Sequence, residues 1–134
     1  MPAPFGYSGK LLIQKLGLKE SRILKPAGPP EAYADWIEPL PLGAVVDADA
    51  AQADLVHLFV SDRAGLERGT APALAAVRSG GMLSVSWPKK TSPLFRDLTE
   101  DGLRAVLLPT ARVDVKVCAV SADWSGLKFL RRKI

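Results

Sequence analysis

The clearest pattern in the chain is a nearly continuous apolar run over residues 55–60. Such a run predicts a strand covered on both faces, as in a parallel sheet. A second strong strand is predicted over 82–87, and shorter, weaker ones over 22–24 and 45–46. Helical patterns are predicted over residues 9–16, from Pro29-Pro30 to Leu40, over 64–78 and from Asp97 to Leu108.

Capping and stop signals mark the predicted helices. Ser8 is placed to cap the first, and prolines at 29 and 30 suit a first helical turn because proline lacks an N–H that would have no partner there. Asp97 and Glu100 form a capping-box-like start for the last helix. An apolar stripe at helical spacing follows Pro30; its members are Tyr33, Trp36, Ile37 and Leu40.

The C-terminal part of the chain has a different period. Apolar and polar residues alternate over 113–119, and 127–133 is a second candidate strand after the turn-like stretch 121–126. We therefore predict an α/β fold: a mostly parallel, Rossmann-like, three-layer sheet with a C-terminal antiparallel β-hairpin. Residues 1–8 form an N-terminal arm, and 9–134 form a single domain.

Charge is concentrated at the C-terminus. The net charge is +4. Four bases, Lys128, Arg131, Arg132 and Lys133, fall within the last eight residues, which leaves 14 bases against 14 acids elsewhere. The excess charge is therefore a terminal feature rather than a basic face, and nucleic acid is not the favoured partner.

Cysteine content and hydropathy indicate the compartment. The single cysteine, Cys118, excludes an internal disulfide and fits a reducing environment. No signal peptide is evident, and no apolar run approaches the roughly 18 residues that a membrane span needs. A cytoplasmic location without a membrane partner is expected.

Several motifs resemble the later part of class I S-adenosylmethionine-dependent methyltransferases. They are the strand opening Asp54-Leu55-Val56, the turn Ser79-Gly80-Gly81 and the closing hairpin, within residues 18–134. The resemblance implies a methyltransferase-like sheet, with Asp47 in the position of the acidic ribose-binding residue. The glycine-rich cofactor loop of that family is not matched, because residues 24–30 hold one glycine among three prolines. No cofactor is therefore expected.

A second resemblance spans nearly the whole chain. Segments 7–10, 87–90, 97–101, 113–120 and 124–129 are similar to a bacterial family of small proteins that is catalogued as a domain of unknown function. This resemblance implies a fold relative and brings no activity with it.

Ligands of open parallel sheets bind beyond the carboxyl ends of the strands. Trp87, Lys89 and Lys90 lie there and suit a small anionic ligand, although a core tryptophan with solvated lysines is an alternative interpretation. A turn that covers the ligand is predicted from Asp123 and its neighbours, the alternative being a simple hairpin turn. The remaining candidate ligand-binding residues are Trp124, Ser125, Lys128 and Arg63.

Other reactive residues are interpreted as structural. His57 lies alone in an apolar strand, so no metal site is expected. Lys116 lies on the same strand face as Cys118 and would favour its thiolate, but a small inert cysteine is the preferred interpretation.

Three functions stay open. The preferred one is a non-catalytic domain that binds a small anion or has a regulatory role. The alternatives are a diverged S-adenosylmethionine-dependent enzyme and an interaction module that uses the basic tail at 131–133 to contact nucleic acid or protein.

Overall fold

The computed structural model describes residues 12–131, whose strands form one six-stranded sheet. The predicted arm at 1–8, the Ser8 cap and the end of the basic tail lie outside these residues. The strands are β1 (Ile23–Ala27), β2 (Val45–Val46), β3 (Ala53–Phe59), β4 (Val77–Pro88), β5 (Arg112–Ala119) and β6 (Trp124–Arg131). The helices are α1 (Leu12–Leu16), α2 (Tyr33–Trp36), α3 (Arg63–Ala76) and α4 (Glu100–Leu107), with a 3-10 turn at Leu108–Thr110.

The sheet is parallel except at its C-terminal hairpin. Its strand order is β2-β1-β3-β4-β6-β5. Neighbours pair in parallel from β2 through β4, whereas β6 is antiparallel to both β4 and β5. The predicted α/β sheet with a C-terminal antiparallel hairpin is confirmed.

Strand β3 divides the core because its side chains alternate between two layers. Val56 and Leu58 pack on the side covered by α3 and α4, which we call the α3/α4 face. Leu55 and Phe59 pack on the opposite side with α1 and α2, which we call the α1/α2 face. Both faces of β3 are therefore buried, as the continuous apolar run predicted.

Two helix boundaries differ from their predictions. Helix α2 is a single turn that ends before Pro39, since the residue preceding a proline disfavours helical backbone. Helix α4 is capped by Thr99, whose Oγ1 accepts a hydrogen bond from the Gly102 N–H at 3.2 Å. Asp97 instead accepts from the Arg63 N–H at 3.0 Å, which ties the starts of α3 and α4 together. No helix within residues 12–131 has the length and hydropathy to cross a membrane.

Two strands extend beyond their predicted bounds. Strand β1 continues through Pro26, which pairs with His57 of β3. On the other side of β1, strand β2 pairs only as far as Leu24. The absence of an N–H at Pro26 therefore removes no hydrogen bond between β1 and β2. The segment 79–81, predicted as a turn, is instead part of a strand with a shift in its pairing register to β3. Strand β4 therefore begins at Val77 rather than at Met82.

Candidate functional site

Polar segments converge where the parallel strands end, at what we call the C-terminal edge of the sheet. Residue 28 follows β1, Asp47 follows β2, residues 61–63 follow β3, and 89–90 follow β4. Strand β5 runs in the direction of β4, because each is antiparallel to β6. The turn between β5 and β6 therefore lies at this edge too.

The tryptophan-lysine segment and the hairpin turn meet there. Pro88 pairs with Trp124 in the antiparallel ladder between β4 and β6. The Lys89 N–H donates to the Asp123 carbonyl at 2.8 Å, and the Ser92 hydroxyl donates to the Asp123 carboxylate at 2.9 Å. The Asp123 carboxylate thus anchors the turn, and a role in ligand binding for these residues stays a prediction.

The two tryptophans of these segments lie on opposite faces of the sheet. Trp87 is only 6% exposed and packs in the core of the α3/α4 face. Trp124 lies on the α1/α2 face, where its ring meets that of Phe59 edge-to-face at a centroid distance of 5.2 Å. The two rings therefore do not form one aromatic clamp.

A cleft of about 390 Å³ opens on the α3/α4 side of this edge. Lys89 and Lys90 contribute two positive charges to its lining, and Glu100 and Asp101 contribute two negative ones. Both carboxylates are already paired with Arg104, at 2.7 Å for Glu100 and 3.4 Å for Asp101, so binding of a small anion in this cleft stays a prediction. The lining is completed by Trp87, Leu98, Thr99 and Ser125.

Two predicted site residues lie elsewhere or are already paired. Lys128 pairs with Ser84 in the ladder and lines a cavity at the opposite edge of the sheet, because β6 runs away from the turn. Arg63 does lie near the C-terminal edge, but its guanidinium donates to Glu67 at 3.0 Å along α3. Neither side chain joins the tryptophan-lysine segment.

The ends of β1 and β2 combine a tight turn with an exposed carboxylate. Gly28 has φ +68°, and a Cβ at this position would lie 3.3 Å from the Phe59 carbonyl oxygen. Asp47 is exposed, and its Oδ1 accepts from the Asp49 N–H at 2.9 Å, which orients the carboxylate. Residue 28 thus has little room for a side chain next to the end of β3.

A buried hydrogen-bonded trio lies beneath this edge, and sequence reasoning did not find it. His57 Nδ1 is 2.9 Å from the Tyr33 hydroxyl oxygen, and its Nε2 is 2.7 Å from Ser86 Oγ. Burial lowers the pKa of His57 from 6.5 to about 3 and raises that of Tyr33. The imidazole is therefore neutral at physiological pH, and the trio holds α2 against β3 and β4. Within residues 12–131, no group of three or more His, Cys, Asp or Glu side chains is arranged to hold a metal.

The thiol of Cys118 is not activated. Burial raises its pKa, and this effect exceeds the opposing influence of Lys15, Lys116 and Lys128. The preferred interpretation of an inert cysteine therefore agrees with the structure better than a reactive thiolate does.

Comparison with solved structures identifies the fold. A ribosomal protein L11 methylase from Lactobacillus delbrueckii subsp. bulgaricus matches with a TM-score of 0.61 at 11% identity, over 92% of this chain and 76% of that one. A SAM-dependent methyltransferase from Aquifex aeolicus matches with a TM-score of 0.59 at 9% identity, over 88% and 86%. A complex of DhpI with SAH matches with a TM-score of 0.54 at 13% identity, over 87% and 78%.

Sequence comparison adds no relative. No protein-family model matches the chain, and no curated protein does so. The resemblance to a family of small bacterial proteins therefore stays a prediction, whereas the methyltransferase-like fold is established.

The structural neighbours correct one expectation. The loop after β1, which has one glycine among three prolines, predicts that no cofactor is bound. The structures similar to this chain include a SAM-dependent methyltransferase and a protein solved with SAH, so the expectation of no cofactor no longer stands.

Proposed function

We propose that the chain binds S-adenosylmethionine at the ends of β1, β2 and β3 and is a diverged methyltransferase. The observation that carries the proposal is the shared fold, with Gly28 and Asp47 at the ends of its first two strands. We favour this function over the anion-binding interpretation because the shared fold supports it, whereas no observation at the cleft beside Trp87 points specifically to an anion.

Gly28 supports the proposal through its backbone. Its φ of +68° belongs to the left-handed region that favours glycine, and the contact with the Phe59 carbonyl leaves little room for a Cβ. A turn of this kind lets a ligand approach the main chain closely. The residues after β1 are thus suited to lie under the nucleoside and amino-acid parts of the ligand.

Asp47 supports the proposal through its charge and position. A carboxylate after the second strand is placed to accept hydrogen bonds from the two ribose hydroxyls. Its orientation by the Asp49 N–H lowers the entropy that binding would otherwise cost.

The prolines that follow Gly28 set an expectation for affinity. Pro29 and Pro30 have no N–H, so this loop offers fewer donors than a glycine-rich one. Binding in the micromolar to millimolar range is therefore expected rather than tighter binding. When bound, the ligand supplies an activated methyl group for transfer to an acceptor.

The cleft at β4 and α4 is the proposed acceptor site. It lies at the same edge of the sheet, and its volume of about 390 Å³ suits a small molecule. Trp87 offers an apolar wall, while Thr99 and Ser125 offer hydroxyl groups for hydrogen bonds.

Isothermal titration with S-adenosylmethionine and with S-adenosylhomocysteine tests the proposal. Asp47→Asn is the informative variant, because it removes the charge and keeps the shape. Asp49→Asn is its matched control, two residues away and also exposed. We expect Asp47→Asn to weaken binding about tenfold or more and Asp49→Asn to change it little.

Two results would refute the proposal. One is no detectable binding of either compound at millimolar concentration. The other is equal weakening by the two variants, which would indicate a general effect of charge rather than a contact to the ribose.

A further inference from the structure

A second cavity lies at the opposite edge of the sheet, where β3 and β4 begin. Its volume is about 600 Å³, and it opens between the segment after α1 and the end of β6. Four basic side chains and one acidic side chain line it, which gives a net charge of +3. The charged lining residues are Lys19, Arg22, Arg78, Lys128 and Asp54. We call it the N-terminal-edge cavity.

The single carboxylate does not balance these cations. Asp54 accepts from the Ile23 N–H at 2.8 Å and contacts both Arg78 at 3.4 Å and Arg22 at 3.9 Å. No hydrogen bond or ion pair joins the side-chain ammonium group of Lys19 or of Lys128 to another residue of the described part of the chain. Two guanidinium groups therefore share one carboxylate, while two ammonium groups have no partner among these residues.

The ammonium group of Lys128 lowers the stability of the folded protein in this arrangement. It is only partly exposed, next to Met82, and its Nζ would lie 3.0 Å from a Cβ placed on Gly17. Burial lowers its pKa, and repulsion from Lys116 lowers it further. An ammonium group in such surroundings reduces stability unless an anion compensates it.

We propose that the N-terminal-edge cavity binds the phosphate groups of an anionic ligand. The net charge of +3 matches a pyrophosphate better than a single carboxylate. Arginine guanidinium groups pair with phosphate oxygens in a bidentate manner, and lysines add point charge. The volume of the cavity falls within the range of small-molecule sites.

The phosphate has two possible sources, a phosphorylated small molecule or the backbone of a nucleic acid. Inorganic pyrophosphate and a short single-stranded oligoribonucleotide are the two probes. Binding of pyrophosphate alone assigns the site to a small molecule, and binding of the oligoribonucleotide alone assigns it to a phosphodiester backbone. Either result supports the proposal, provided that binding of the probe depends on Lys128.

The full chain is titrated with each probe, as wild type and as Lys128→Met, which keeps most of the length of the side chain and removes its charge. Arg96→Met is the control, because it removes an exposed positive charge outside this cavity. We expect Lys128→Met to weaken binding at least about tenfold and Arg96→Met to leave it nearly unchanged. Added salt should weaken binding further.

Thermal unfolding without ligand provides a second measurement. We expect Lys128→Met to raise the melting temperature of the free protein, because it removes a poorly solvated, repelled charge. Should Lys128→Met fail to fold, Lys19→Ala at an exposed position is expected to weaken binding about tenfold in its place. The proposal fails if neither probe binds wild type at millimolar concentration, or if Arg96→Met weakens binding as much as Lys128→Met or Lys19→Ala does.

Discussion

The imidazole Nε2 of His57 lies 2.7 Å from the hydroxyl oxygen of Ser86, across the pairing of β3 with β4. Both residues are fully buried. Because Tyr33 approaches the other ring nitrogen, one side chain satisfies two buried hydroxyl groups. The only histidine of the chain therefore joins a helix to two strands.

Replacing His57 should be costly. We expect His57→Leu to lower the free energy of unfolding by about 3 kcal/mol, since it leaves two buried hydroxyl groups without a partner. Tyr33→Phe removes one hydroxyl and should cost about 1 kcal/mol. Urea denaturation at pH 7 measures both, and equal losses for the two variants would contradict the assigned role.

Stability should depend on pH through the same residue. The unfolded state binds a proton near pH 6.5, and the folded state does so only at about 3. The unfolded state therefore binds more protons between these values, and stability falls as the pH is lowered through that window. At pH 5 the loss relative to pH 8 should be about 2 kcal/mol.

The His57→Leu variant separates the contribution of His57 to the pH dependence of stability from the contribution of the carboxylates. His57→Leu should lose less stability than wild type between pH 8 and pH 5, and urea denaturation at several pH values compares the two. Parallel curves for wild type and His57→Leu would show that the imidazole is not kept neutral by burial.

At the irregular start of β4, alanine should be tolerated better at position 80 than at position 81. A Cβ on Gly81 would lie 2.7 Å from the Asp54 carbonyl oxygen and 2.9 Å from that of Arg78, and both are backbone atoms. Gly80 has φ +82° but open space around it. We expect Gly80→Ala to cost about 1 kcal/mol and Gly81→Ala about 3 kcal/mol in urea denaturation. The reverse order would contradict the described register shift.

Cys118 should react slowly in the folded protein. Since burial raises its thiol pKa, little thiolate is present at pH 7.5. Alkylation by iodoacetamide, followed by mass spectrometry, should be at least about tenfold slower than in urea. Equal rates in both conditions would indicate an exposed, reactive thiol.

The sheet could be predicted because its strongest strands carry their own signals. The apolar run at 55–60 gave β3, and alternation at 113–119 gave β5 within one or two residues. The start of β4 was missed because Ser79-Gly80-Gly81 is equally typical of a turn and of a bulge. Local composition does not distinguish the two; pairing with β3 does.

The candidate site was predicted less well, because side-chain position depends on register. Lys128 is four residues beyond Trp124 on one strand, which places it about 13 Å from the C-terminal edge at 3.3 Å per residue. That spacing was available from the sequence and would have separated the two residues. The carboxylates at 100 and 101 come from α4, and only tertiary packing brings them into the same cleft as Lys89.

The placement of Trp87 and Trp124 on opposite faces gives the chain two separate optical probes. Trp87 borders the cleft near α4, so its fluorescence should respond to a molecule bound there. Trp124 contacts Phe59, so its emission should report rearrangement on the α1/α2 face. Two variants are needed, each with Trp36 and one of the other two tryptophans replaced by phenylalanine. The single remaining tryptophan would then report on its own face of the sheet without an added dye.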